Sequence, residues 1–226
     1  MTPSRTFQVL CVTAILGSLL LGVLAISQWP YGQSLPRLIN DLQSSIARYW
    51  ATRNAAEHDE SFARASHAII SLGQLEARAA PAVPALNEVL NGPEMCYRNG
   101  DRSIRTEAAN TLARIGPESV DPLIESLKNP DGQVRWLAAR ALGDIAAKHP
   151  GKAEAAIDPL AEATKDTHQY VRMFAIGALG RFGPAARRAI PALNQALEDN
   201  DQQVRDFARI AIQQIDQDAS VHSGVK

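Results

Sequence analysis

The sequence predicts an all-α fold: an α-solenoid of about four to five stacked helical pairs, behind one N-terminal transmembrane helix. Three observations lead to this prediction. A segment with the pattern of an amphipathic helix recurs at intervals of about 30 to 40 residues. A short proline-containing segment lies between its copies, and an uncharged apolar run occupies the start of the chain.

The recurring segment is clearest at Asp131–Ile145. Asp131 is suited to cap the free N–H groups of a first helical turn, and apolar residues follow at steps of three and four, which places them on one face of a helix. Gly143 leaves room for a neighbouring backbone. Further copies begin at Asp201, with Phe207 on the apolar face, and at His168, with Phe174 on that face. A weaker copy begins at Asp101, and a degenerate copy runs from Ser61 to Leu75.

The spacing of the copies indicates a stack of helical pairs. Equivalent positions are occupied by Leu112, Leu142, Leu179 and Ile212. These residues are 30, 37 and 33 residues apart. A period of about 30 to 40 residues is typical of solenoids, in which each unit buries its apolar face only against its neighbours.

A second pattern predicts the first helix of each pair. It consists of an apolar residue, a proline one or two places later and a leucine at the third place, a combination suited to a helix start, where the first N–H groups have no intrahelical acceptor. It occurs at residues 83–86, 120–123, 157–160 and 190–193, and residues 35–38 fit it as well. The predicted order is therefore first helix, turn, second helix, repeated.

The first residues have a different composition. After a short tail, residues 1–6, the run Phe7–Ile26 contains no charge. A helix of this length spans the ~30 Å hydrocarbon layer of a membrane. We therefore predict a transmembrane helix or signal anchor at residues 7–27. The alternative is a signal peptide cut after Ser27, but the apolar run is longer than the core of about 7 to 15 residues that such peptides have.

The remaining domain predictions follow from periodicity. Residues 28–60 are predicted to form a juxtamembrane turn and an amphipathic helix, residues 61–216 the repeat domain, and residues 217–226 a disordered tail. A short N-terminus before the apolar run favours a single-pass protein with the repeat domain on the extracytoplasmic side.

The loop at residues 91–100 either touches a partner or folds back onto its own repeat. Within it, Cys96 is either an ordinary thiol or the site of an intermolecular bridge.

The composition argues against several functions. The formal net charge is −1, from 23 basic and 24 acidic residues, which gives no global electrostatic reason to expect nucleic acid as a partner. The sequence contains no glycine-rich phosphate loop, no Cys-x-x-Cys, no His-Glu-x-x-His and no Gly-x-Ser-x-Gly. We therefore expect no enzyme activity, no cofactor and no metal site.

The repeated pattern Asp-x-x-Val-Arg-x-x-Ala-x-x-Ala-Leu-Gly, preceded by a helix reading Pro-Leu-x-x-x-Leu, resembles the HEAT repeat, in particular the short bacterial variety also found in phycobilin lyase subunits. The resemblance covers about residues 81–215, and a looser pair extends it back to about residue 35. Iron-binding hydroxylases of HEAT-like fold carry paired His-Glu dipeptides. This sequence contains none.

The resemblance also implies a structural role for four arginines. In such repeats the Arg after the Val forms a polar ladder between units with the Asp or Asn five residues before the Val. The implied pairs are Asn99 with Arg105, Asn129 with Arg135, Asp166 with Arg172, and Asp199 with Arg205.

The resemblance further implies that the second helices line the concave side of the stack. Their outward positions lie two, six and ten places after the Val, and those of the central repeats combine aromatic, thioether and basic side chains, which is the composition of a binding hot spot. The candidate partner-binding residues are Trp136, Met173, Arg140, Arg114, Arg181 and Asn110. Trp136 could equally cap the apolar core between repeats.

The sequence therefore predicts a membrane-anchored scaffold that binds another protein on its concave face. The alternative is an accessory subunit of a phycobilin-lyase-like or other enzyme.

Overall fold

The computed structural model describes residues 34–52, 54–95 and 103–222, with the backbone alone for residues 217–222. The predicted membrane segment at residues 7–27 lies outside these ranges. Within them, no helix combines the length and the apolar composition that crossing a bilayer requires.

The described residues form ten α-helices arranged as five consecutive pairs, which confirms the predicted all-α solenoid. Odd-numbered helices are the first helices of the pairs and even-numbered helices the second. In chain order the helices are α1 (Leu35–Ala51), α2 (Ala55–Gln74), α3 (Val83–Asn91), α4 (Ile104–Ile115), α5 (Val120–Ser126), α6 (Gly132–Lys148), α7 (Ile157–Ala163), α8 (Gln169–Arg181), α9 (Ile190–Ala196) and α10 (Gln202–His222).

Each first helix begins at the proline-containing pattern, as the sequence predicts. Short 3₁₀ segments, such as Glu76–Ala82 before α3 and Gly183–Ala189 before α9, lead into these helices. Four of the second helices, α2, α4, α6 and α10, begin at a side-chain cap, whereas α8 begins at His168 without one. A side-chain oxygen of Asp131 accepts a hydrogen bond from the backbone N–H of Gln133 at 2.9 Å at the start of α6, and Asp201 plays the same role for α10.

Two predicted boundaries differ from the structure. α2 begins at Ala55, so the boundary predicted at residue 60 falls inside a helix, and α1 pairs with α2 as the first unit of the array. The residues before the degenerate copy are helical because Asn54 caps them, accepting from the N–H of Ala56 at 3.0 Å. α10 continues to His222, past the end predicted at Asp216, because extending an existing helix needs no new nucleation.

The core lies between a layer of first helices and a layer of second helices. In the second layer, α2, α4, α6, α8 and α10 pack side by side in chain order. Their backbones approach closely where residues are small. A Cβ added to Gly143 of α6 would lie 2.9 Å from the Cα of Ala178 on α8, which is closer than packed carbons allow.

The described start of the loop at residues 91–100 folds back onto its own repeat. Met95 is 1% exposed, and its carbonyl accepts a hydrogen bond from the N–H of Ile104, the first residue of α4, at 3.1 Å. Cys96 lies outside the described residues.

Candidate functional site

An arginine ladder joins successive repeats along one rim of the stack. The Nε and Nη2 groups of Arg135 donate to the two carboxylate oxygens of Asp166 at 2.7 and 2.8 Å. Arg172 binds Asp199 in the same two-pronged way at 2.8 and 3.0 Å. These side chains are only 13 to 17% exposed, so the charges are paired in a largely dry environment.

The ladder pairs differently from the prediction. The prediction pairs each arginine with the polar residue five places before the Val of its own unit. Instead, Arg135 binds the carboxylate of Asp166 in the following unit, and within its own unit it donates to the backbone carbonyls of Asn129 and Pro130, both at 2.9 Å. The reason is the turn before the second helix of the following unit, which directs the Asp166 carboxylate toward the preceding unit. Asp166 accepts from the N–H of His168 at 2.7 Å, and its carboxylate also receives the arginine of the preceding unit.

The ends of the ladder vary. Arg105 donates to Asp131 at 2.6 Å and to the carbonyl of Gly92 at 2.6 Å, while its predicted partner Asn99 lies outside the described residues. Arg205, in the last described repeat, donates to the carbonyl of Asp199 and to the side chain of Gln202.

The pKa shifts agree with the hydrogen-bonded ion pairs of the ladder. The hydrogen bond to Asp166 raises the pKa of Arg135. Burial alone would raise the pKa of the Asp166 carboxyl, but the hydrogen bonds from Arg135 and from the His168 N–H together hold it below its usual value. The pKa of Asp199 is lowered in the same way, against the effect of burial, by Arg172 and by the N–H of Asp201. Arg135 and Arg172 are therefore committed to ion pairs inside the protein.

The candidate partner-binding residues lie away from the arginine ladder, on the solvent-facing side of the second helices. Asn110, Arg114 and Arg181 are exposed, whereas Trp136, Arg140 and Met173 are partly buried. These residues come from three consecutive second helices, α4, α6 and α8, because the same positions of each repeat share one face.

The structure brings three of the six candidates into direct contact. The guanidinium carbon of Arg140 lies 5.6 Å from the centroid of the Trp136 ring, within reach of a cation–π interaction. The Nη2 group of Arg140 donates to the side-chain oxygen of Asn110 at 2.6 Å. A tryptophan face and a guanidinium are thus held together by a residue of the preceding repeat.

The other three candidates are not part of this contact. Arg181 pairs with Asp144. Arg114 lies over Gly73, with its Cδ 3.7 Å from the position of a Cβ built there, and makes no ion pair within the described ranges. Met173 packs against the core.

Sequence reasoning missed two aromatic residues of this surface. The ring against Trp136 is Phe174, with centroids 5.1 Å apart and planes at 25°, although the periodicity placed Phe174 on the core face. Phe207, also assigned to the core face, is 38% exposed. Both lie three places after the Val of their repeats, where α6 has the buried Leu137. The change from aliphatic to aromatic at this position is the signal that could have found them.

Arg140 differs electrostatically from the ladder arginines. Its Nε group is buried and has no hydrogen-bond acceptor. Burial lowers the pKa of its guanidinium, and Arg181 lowers the pKa further, while Asp144 opposes them. In the described part of the chain Arg140 makes no ion pair, because Asp144 is bound to Arg181.

A shallow notch adjoins the aromatic pair. A Cβ added to Gly177 of α8 would meet only the ring of Phe207, at 3.6 Å, so the space above this glycine is otherwise open. Ile210, one turn after Phe207 on α10, is 53% exposed. The surface therefore continues from Trp136 to α10 as an apolar strip.

No arrangement for metal chemistry occurs in the described ranges, since no three His, Cys, Asp or Glu side chains there are grouped to hold an ion.

Comparison with known proteins supports the fold. A family model of HEAT repeats matches residues 94–167 and 157–222, together more than half of the chain. The complex of CpcE and CpcF of phycocyanin lyase from Nostoc sp. PCC7120 is similar, with 23% identity over 88% of this chain and 71% of that one, and a TM-score of 0.52.

Two engineered proteins are also similar in structure. A designed armadillo repeat protein in complex with the peptide (KR)4 has 18% identity over 80% of this chain and 81% of its own, with a TM-score of 0.52. The crystal structure of an engineered protein has 21% identity, coverages of 81% and 79%, and a TM-score of 0.51. At these identities the likeness shows the fold alone. No curated protein matches the chain in sequence.

Proposed function

This chain belongs to the HEAT repeat family, and we propose that it is a scaffold that binds another protein on the exposed side of its second helices, around Trp136 and Arg140. The observation that carries this proposal is the contact between the half-buried Trp136 and the guanidinium of Arg140, which makes no ion pair with any residue that the structure describes. Tryptophan and arginine dominate the energetics of protein interfaces.

The arrangement suits binding better than internal packing. A tryptophan that served only to seal the core would be covered by its neighbours, whereas Trp136 keeps part of its surface in solvent and supports a guanidinium on its face. The stack with Phe174 fixes the ring, so little side-chain entropy remains to be lost on binding. The surface is therefore preorganised.

We further propose that residues 7–26 tether this scaffold to a membrane, with the repeats on the extracytoplasmic side. The support for the tether is the length and apolarity of that run. Deleting residues 1–27 should move the protein from the membrane fraction to the soluble fraction. Digestion of the repeats by protease added to intact cells would support the orientation, and digestion only after lysis would contradict it.

The binding proposal is tested by a crosslinking pull-down from solubilised membranes. Trp136→Ala and Arg140→Glu should each lose proteins that the parent recovers. Arg187→Glu is the matched control, because Arg187 is an exposed arginine in the 3₁₀ segment before α9 and should recover the parent's set. Recovery of the same proteins by all three variants would contradict the proposal.

A second candidate is an accessory subunit of a phycobilin-lyase-like enzyme. It is supported by the similarity of fold to the CpcE and CpcF complex. Purified protein mixed with a phycobilin should then shift the visible absorption of the pigment. An unchanged spectrum would count against this candidate and leave the scaffold proposal intact.

A further inference from the structure

The position that Arg140 occupies carries a charge in one repeat alone. Six places after the Val, and at the matching place in α2, the five second helices have Ile70, Asn110, Arg140, Gly177 and Ile210. The other four side chains are apolar, amide or absent, so the stack does not need a cation at this position. The charge of Arg140 therefore calls for an explanation specific to α6.

The surroundings of Arg140 leave its charge uncompensated. Its hydrogen-bond partner, Asn110, is neutral, and Asp144, whose carboxylate acts on it electrostatically, is already paired with Arg181. Arg114 adds a further exposed cation on the same face of α4 that makes no ion pair within the described ranges. Among the described residues, this face therefore has two cations without an ion pair, Arg114 and Arg140, although the whole chain is nearly neutral.

An apolar recess continues from this basic region. The Trp136 ring contacts both Arg140 and Phe174, with the Arg140 guanidinium carbon 5.6 Å and the Phe174 centroid 5.1 Å from its own centroid. Phe174 and Gly177 are three residues apart and so are neighbours on the surface of α8. Beyond them, Phe207 forms the far wall of the notch above Gly177. A cation on α6 and an open space above Gly177 on α8, bordered by Phe207 of α10, thus belong to the second helices of three successive repeats.

Resting on the proposed function, we infer that the partner presents an acidic peptide segment to this face. A carboxylate of that segment binds Arg140, and an adjacent apolar side chain enters the notch above Gly177. Charge complementarity selects this occupant. A basic peptide, of the kind held by the designed armadillo protein, would meet like charges here.

The test is a selection from a phage-displayed library of random dodecapeptides on the immobilised full-length protein in detergent. Peptides selected on the parent should be enriched in Asp and Glu next to Leu, Phe or Trp. The selected peptides should bind Arg140→Gln about tenfold more weakly, since a charge-assisted contact is lost. Arg187→Gln is the matched control, and it should bind these peptides like the parent.

The outcomes separate this inference from the proposed function. Peptides that lose affinity for Trp136→Ala but carry no acidic excess would overturn the inference and leave the binding surface in place. A library that yields no acidic pool, or a pool that binds Arg140→Gln and the parent equally, would also overturn it. A pull-down unaffected by Trp136→Ala would contradict the proposed function itself.

Discussion

Two arginines on α6, five residues apart, show how one residue type serves two purposes in this solenoid. Arg135, on the rim, makes a two-pronged ion pair with Asp166 and donates to two backbone carbonyls. Arg140, on the exposed face, has one neutral partner and a buried Nε without an acceptor. The interaction with Asp166 raises the pKa of Arg135, and burial lowers the pKa of Arg140.

The difference between the two arginines indicates that the rim stabilises the stack and that the exposed face is available for binding. The rim contacts hold one repeat to the next, and on Arg135 they occupy four of the five guanidinium N–H groups. On the exposed face, Arg140 makes no ion pair within the described residues and lies next to an aromatic surface. Stability should therefore depend on the rim, and binding should depend on the face.

The largest expected effect is on the rim. Arg135→Ala leaves the carboxylate of Asp166 largely buried without its cation and should lower the free energy of unfolding by about 3 kcal/mol. Urea denaturation followed by circular dichroism measures the change. Arg140→Ala is the control on the same helix and should shift the unfolding free energy by less than about 1 kcal/mol. Equal losses in the two variants would remove the distinction between rim and face.

A second effect concerns helix contact. Gly143→Ala places a Cβ 2.9 Å from the Cα of Ala178, so α6 and α8 must move apart. We expect a loss of about 1 to 2 kcal/mol, after the gain in helix propensity is subtracted. Thermal unfolding checks this prediction, and an unchanged melting temperature would show that the two helices are not packed as closely as described.

The rim should also be sensitive to acid. The pKa values of Asp166 and Asp199 are lowered in the folded protein, so both carboxylates contribute stability above their unfolded pKa of about 3.9. This contribution should fall as the pH drops through that value toward the folded pKa. Urea midpoints measured from pH 6 to pH 3 should decline more steeply for the parent than for a double Asp→Asn variant. Parallel curves would contradict the assignment.

The smallest expected effect lies on the face and has the opposite sign. Gly177→Ala adds a Cβ in ordinary contact with Phe207, so it should raise the unfolding free energy by about 0.5 to 1 kcal/mol through helix propensity. The larger Gly177→Leu should fill the notch and weaken partner recovery. Gly143→Ala is the natural comparison, since the same substitution destabilises where a neighbouring helix is in contact.

Most of the fold could be predicted from the sequence because the same pattern of apolar residues recurs in successive repeats. Periodicity gave the helical pairs and the positions of the first helices. It did not reveal the ladder partners, since pairing between units depends on which way a turn directs a carboxylate such as Asp166. Nor did it reveal that Phe174, which packs against the edge of the core, also stacks on Trp136, because the three- and four-residue spacing assigns a residue to a helix face but not to a particular neighbour.

The central claim, that partners bind on the second-helix face, is tested most directly by site-specific photo-crosslinking. Benzoylphenylalanine replaces Phe207 on that face or, as the control, the exposed Asn194 on α9 of the opposite layer. We predict a partner adduct from position 207 and none from position 194. Equal adducts at both positions, or an adduct at position 194 alone, would contradict the account.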